Sequence, residues 1–318
     1  MLRTVEASQG SSSRVAFLAI FVAVVLWGLA PVATRYLVLN ADPLGVLGIR
    51  FLLCSLCYLP VLPWLRLGEA RWSPRSRWLL VACGVVGVVG YNVPMTLGIR
   101  DVHAGFAGIL LSTEPLWIAL LSVVFLRHRL TAPLAWGLAV AFAGVVTLSV
   151  GNGLSVSASM FGGAALVLLG AFMWGAYSVA VGPLVRQYGA LRVSAVTMWI
   201  GTVPLLVICA TGMLSTSLDA TGWLVLFLYG LGPNLVGMLL WNYGLSRVPG
   251  PQAGLLLNLY PVVSVAGGVT LLGEPLTALT VTGGLVVLAG LLLSQLRPSG
   301  SAGASVTPAT SAPPPADR

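Results

Sequence analysis

Lysine is absent from this chain, histidine occurs twice, and the acids number eight in 318 residues. Charged residues make up only 8% of the sequence, where a soluble domain carries roughly a quarter. That scarcity sets aside an ordinary soluble enzyme. All sixteen basic residues are Arg, and the +8 balance they leave is read by its placement, not as a nucleic-acid footprint. Intramembrane catalysis is also disfavoured, because it needs clustered acids, a histidine, or a Ser/His or Asp/Asp pair at depth. No Walker motif, GxSxG, HExxH or acid-rich diphosphate signature occurs. His103 and His128 fall at opposite ends of one predicted span and cannot share a metal. Cys54 and Cys57 form a CxxC with no second pair, so they read, with Cys83 and Cys209, as buried apolar thiols. Neither metal nor cofactor is expected.

What the chain has in abundance is apolar residues, 58% of the total. Runs near the ~20 residues that cross a bilayer recur throughout. The run Val15–Leu39 exceeds a secretory signal core and reads as a retained helix. Ten spans can be drawn, at about 15–37, 43–64, 77–98, 103–126, 132–150, 160–182, 191–211, 222–244, 251–272 and 277–296. Residues 1–14 form a polar lead, and the Pro/Ala/Ser-rich stretch 297–318 is expected to be a disordered tail. Arginine placement sets the orientation. With both termini in the cytoplasm, the inner segments hold Arg3, Arg14, Arg66, Arg71, Arg75, Arg77, Arg127, Arg129, Arg186, Arg192, Arg247, Arg297 and Arg318. The outer loops hold Arg35 and Arg100, and Arg50 alone lies inside a span.

One stretch occurs twice. Residues 105–148 and 251–294 align without a gap at an offset of 146 (261 minus 115), matching Ala107/Ala253, Gly108/Gly254, Pro115/Pro261, Leu130/Leu276, Thr131/Thr277, Gly137/Gly283 and Ala143-Gly144/Ala289-Gly290. Five spans per unit make the second copy enter the membrane from the opposite side. The expected fold is therefore an all-α integral membrane protein of ten transmembrane helices, built as two inverted five-helix repeats over residues 15–150 and 160–296. Such duplications are the architecture of many secondary transporters, which bind substrate near the midplane between the repeats.

The Trp27-Gly28 and Trp174-Gly175 pairs, Arg50 in span two, the prolines within spans four and nine, and the LLGEPLT segment ending span nine resemble the EamA-type exporters of the drug/metabolite transporter superfamily. The resemblance covers about residues 15–296. It implies a bacterial inner-membrane exporter of amino acids or related small metabolites, with no ATPase domain. The Leu272-Gly273-Glu274 motif is intact, whereas the first half has Leu126-Arg127-His128 at the matching positions. Glu114 has Tyr260 as its symmetric counterpart, so the expected pocket is chemically uneven.

Glu114 falls roughly 16 Å into span four, where a carboxylate must face a cavity, be paired or be protonated. It is a candidate for proton coupling or for a substrate amine; a static ion pair is the alternative. Arg50 enters on the order of 10 Å into span two. It would bind a substrate carboxylate through its planar fork or hold Glu114 ionised; snorkelling to the outer headgroups is the alternative. Asn92, Trp241-Asn242 and Asn258 are mid-span polar or amphipathic groups that serve either the cavity or helix–helix hydrogen bonding. Trp27 and Trp174 sit too deep for an aromatic belt and could wall a cavity, with Tyr91, Tyr177 and Tyr260 as further candidates. Trp64, Trp72, Trp78 and Trp223 read as interfacial anchors. Gly84, Gly87 and Gly90 form a packing stripe, and Glu274 is expected to cap the start of span ten.

The expected partners are a small-molecule substrate, the lipid bilayer and a proton as coupling ion, with no nucleic acid. The competing readings are a facilitator, an importer of another metabolite class (sugar, nucleotide derivative or lipid-linked intermediate), a non-transporting membrane partner and an intramembrane enzyme.

Overall fold

The computed structural model describes residues 2–59, 63, 72–126, 131–150, 158–245, 247–248 and 256–294, with side chains described for all of these except 2–13, 126, 148–150, 190, 242 and 245. The expected tail 297–318, Trp64, His128 and loop residues Arg66, Arg71, Arg127 and Arg129 lie outside the described residues. So do the side chains of Arg3 and Asn242.

Among the described residues the chain is helix and turn, with no strand. Six stretches are long and apolar enough to cross a membrane: Arg14–Asn40, Pro74–Ile99, Ala104–Phe125, Ala158–Tyr188, Leu191–Ser215 and Ala220–Trp241. Four shorter apolar helices accompany them, at Pro43–Tyr58, Ala132–Thr147, Leu259–Leu272 and Ala278–Ser294. Hydrocarbon offers the backbone no partner, so each stretch satisfies its amides within a helix.

In chain order the helices are α1 (Leu2–Gly28), α2 (Ala30–Asn40), α3 (Pro43–Tyr58), α4 (Pro74–Gly84), α5 (Tyr91–Ile99), α6 (Ala104–Leu111) and α7 (Glu114–Leu126). There follow α8 (Ala132–Val150), α9 (Ala158–Tyr188), α10 (Ala190–Ser215), α11 (Ala220–Leu231), α12 (Met238–Leu245), α13 (Leu259–Leu272) and α14 (Ala278–Ser294). Local chemistry fixes several starts. Asp42 accepts from Gly45 N at 2.7 Å with Pro43 in the first turn of α3, Ser73 accepts from Ser76 N at 3.1 Å ahead of Pro74, and Asp219 accepts from Gly222 N at 2.7 Å. The helix of the first span reaches back to Leu2, since no proline interrupts the polar lead.

Three irregularities shape the centre. The predicted span four is two helices, broken at Ser112 and Thr113, whose hydroxyls donate to Ile109 O and Leu110 O, each at 2.6 Å. A matching interruption at Asn258 precedes α13. Finally, π-helical turns at Val85–Gly90 and Gly232–Gly237 join α4 to α5 and α11 to α12. Such turns leave carbonyls for other donors, often at functional sites.

Packing pairs α3 with α10, α5 with α9, α6 with α13, α1 with α12, and α8 with α14. The last pair meets backbone to backbone. A Cβ at Gly290 would lie 2.7 Å from Gly137 O, and one at Gly144 would lie 3.0 Å from Gly283 O. Small residues permit this approach where lipid supplies no hydrophobic drive for helix association. The glycine stripe on the third span likewise packs: Gly84 meets Ile200 and the Thr197 carbonyl, Gly87 meets the Tyr177 ring, and Gly90 meets Met173.

Candidate substrate and coupling site

Arg50 is 4% exposed. Its Nη1 donates to the Tyr229 hydroxyl and its Nη2 to Asn92 Oδ1 at 2.6 Å. The guanidinium also stands 4.5 Å from the Tyr229 ring centroid and 4.7 Å from that of Phe51. Each neighbour is held in turn. Asn92 Nδ2 donates to Val88 O at 2.9 Å, a carbonyl of the first π-helical turn, and the Tyr229 hydroxyl is 2.8 Å from Thr34 Oγ1. Both acceptors are neutral, so the cation is hydrogen-bonded without being neutralised. Its Nε is buried and has no acceptor. Snorkelling is thereby corrected: the side chain turns inward, where α5 and α11 supply its acceptors, instead of reaching the headgroups.

Glu114 opens α7 directly after the break, with Pro115 in the first helical turn. Its polar neighbour is Tyr91, and Tyr260 shares its electrostatic surroundings. Tyr91 also feels the charge of Arg50. The sequence left open whether Arg50 and Glu114 bond to each other; the guanidinium instead takes Tyr229 and Asn92.

Two aromatic groups form among the other candidate residues. Trp27 packs on Trp241 with centroids 5.3 Å apart, and its Nε1 donates to Pro233 O in the second π-helical turn at 2.9 Å. In the second group Trp174 packs on both Tyr91 at 5.1 Å and Tyr177 at 5.3 Å. Trp27 and Trp174 thus each join a different aromatic group. Asn258 occupies the N-cap position of α13 and makes no side-chain cap. Of the expected anchors, Trp78 is 76% exposed, Trp223 is also exposed, and Trp72 packs on Tyr188 at 4.2 Å.

The sequence reading missed Thr34 and Tyr229. Both lie inside apolar runs, and the signal available was that a hydroxyl at depth needs an internal partner. It also misjudged Glu274. The carboxylate does not cap the helix that follows it; Oε1 accepts from Ala104 N at 2.8 Å and Oε2 from Gly105 N at 3.3 Å, at the start of α6. The physical reason is Gly273, whose φ of +67° turns the chain back so that Glu274 N bonds Gly268 O at 3.0 Å.

The EamA-like transporter family matches this chain over residues 14–150 and again over 161–296. A Streptantibioticus cattleyicolor protein named "Probable terminal-alkyne amino-acid exporter" is 32% identical, over 76% of this chain and 81% of its own length. A Salmonella typhimurium protein named "Probable amino-acid metabolite efflux pump" is 25% identical, over 87% of this chain and 93% of its own length. A protein of solved crystal structure superposes with a TM-score of 0.62 at 21% identity, over 88% of this chain and 96% of that one, which shows a shared fold.

Proposed function

Because the chain belongs to the EamA-like transporter family, we propose that it is a bacterial inner-membrane secondary transporter exporting amino acids or similar small metabolites by alternating access, with Glu114 carrying a coupling proton. The observation that carries the reading is the buried Arg50, bonded to the neutral Tyr229 and Asn92 with its Nε free. A zwitterionic substrate fits those features. Its carboxylate takes the free edge of the guanidinium, its ammonium takes Glu114 once the proton has left, and its side chain meets Trp27, Trp174, Trp241, Tyr91, Tyr177 or Tyr260. Asn92 positions Arg50, while Asn242 and Asn258 belong to the substrate path. The two relatives named for amino-acid compounds support the substrate class and the direction.

Ten spans as two inverted repeats, residues 15–150 and 160–296, supply the moving parts. Support comes from the double family match, the paired π-helical turns, the interruptions before Pro115 and Pro261, and the reciprocal Gly137–Gly290 and Gly144–Gly283 contacts. The arginine distribution puts both termini, with the lead 1–14 and the tail 297–318, in the cytoplasm.

The test is flux of a radiolabelled amino-acid panel in proteoliposomes enclosing a pH dye. The native protein is expected to move at least one amino acid with an accompanying pH change, and Glu114→Gln to lose the pH change together with roughly tenfold or more of the flux. Flux without proton movement makes the protein a facilitator; no flux for any amino acid rejects the substrate class.

A further inference from the structure

At the end of the bundle that the arginine count places outside, a second charged cluster joins the two matched halves. Arg35 on α2 donates through Nη1 to Ile99 O at 2.9 Å and to Arg100 O, while its Nε stands 3.7 Å from Glu274 Oε1. Glu274 comes from the second half, yet both of its oxygens accept from the opening amides of α6 in the first. The carboxylate therefore holds a cation and a helix N-terminus together, both favourable to negative charge. The two side chains are only 15% and 10% exposed, so salt screens the pair weakly. Beneath it Val265 closes on Gly105, where a Cβ would lie 3.1 Å from Val265 Cα. Gly268 leaves room for the carboxylate itself: a Cβ there would collide with Glu274 Oε2.

The duplication does not repeat this cluster. In the register of Trp27 and Trp174 (offset 147, 174 minus 27) Arg35 corresponds to Gly182, and at the offset of 146 Glu274 corresponds to His128, so the matching positions offer neither the guanidinium nor the acid. A purely structural staple would serve either end of a duplicated scaffold equally well. A charge pair at one end alone instead biases which end stays shut.

We propose that Arg35 and Glu274 form an outer gate, a latch between the halves that holds the outward end closed until loading of the central site releases it. This rests on the alternating-access reading above. Breaking the latch shifts the population toward outward-open states, because removing a contact made only in the closed state destabilises that state alone.

The experiment uses accessibility, which needs no substrate. In a full-length chain whose four native cysteines are replaced by alanine, a reporter cysteine replaces Val265. A membrane-impermeant maleimide is then applied from the outer side of intact cells and the labelling rate measured. With the latch intact, labelling is expected to be slow; with Glu274→Gln it is expected to rise roughly fivefold or more. Glutamine keeps an oxygen for the α6 amides but loses the charge facing Arg35. Arg35→Gln is expected to act alike, and decides the matter if Glu274→Gln does not reach the membrane. Unchanged labelling in the recovered variants overturns the gate, as does acceleration seen only from the cytoplasmic side. A null result in the amino-acid flux panel bears on the substrate class and leaves this readout intact.

Discussion

Replacing Arg50 with alanine is expected to reduce transport to background. The guanidinium lies 4% exposed among groups arranged to hold it, and its removal leaves Asn92 Oδ1 without its donor while the Tyr229 hydroxyl keeps Thr34 Oγ1. An abandoned polar group costs about 1–3 kcal/mol, and the substrate carboxylate loses its counter-charge. Arg50→Lys separates the contributions. Lysine preserves the charge, but its point-like ammonium cannot span two acceptors and still present a free edge. Flux is therefore expected to fall roughly tenfold or more in Arg50→Lys, in protein that still inserts and elutes as the native species. The measurement is initial flux in proteoliposomes per unit of reconstituted protein. Native rates in both Arg50→Ala and Glu114→Gln would remove these residues from the site.

The second large effect concerns stability. Gly290→Val is expected to force α8 and α14 apart, because even its Cβ would lie 2.5 Å from Ala141 N and 2.7 Å from Gly137 O. Backbone atoms cannot swing aside as a flexible side chain can. Overpacking of this kind costs about 1–3 kcal/mol, which corresponds to a midpoint lower by about 2–10 °C. Gly162→Ala is the matched control, with nothing within 4 Å of the added carbon. It is expected to be neutral or slightly stabilising through helix propensity. Monodisperse protein remaining in detergent after heating to a series of temperatures reports both. Equal midpoints for Gly290→Val and Gly162→Ala would show that the α8–α14 contact carries little of the stability.

What the sequence disclosed followed from offsets and depth. Pro115 and Pro261 marked equivalent positions of the two halves, though spans four and nine read there as unbroken helices, and a lone Arg and a lone Glu within apolar runs pointed to buried polar groups. Tyr91, Asn92 and Tyr260 do stand near those charges. The hidden parts were partnerships between distant segments. Nothing in the spacing tied Tyr229 to Arg50 across 179 positions, or Glu274 to Ala104 across 170. Glu274 next to a predicted helix start suggested local capping, because a one-dimensional reading can weigh only neighbours in the chain. The left-handed turn at Gly273 sent the side chain elsewhere.

The π-helical turns also bear on how such a pocket diversifies. A π turn holds one residue more than its α counterpart, and each α-helical residue advances about 100° around the axis. The wider turn absorbs that extra residue, so the half-helix beyond Val85–Gly90 keeps its face, with Asn92 on Arg50 and Tyr91 on Trp174. Gly232–Gly237 does the same for Trp241 against Trp27. Loss of a single codon in either segment would restore an α turn and leave the half-helix beyond facing as it does, removing only the local widening and its spare carbonyls. Chain length at these two short stretches thus sets the local width of the wall, not which side chains it displays.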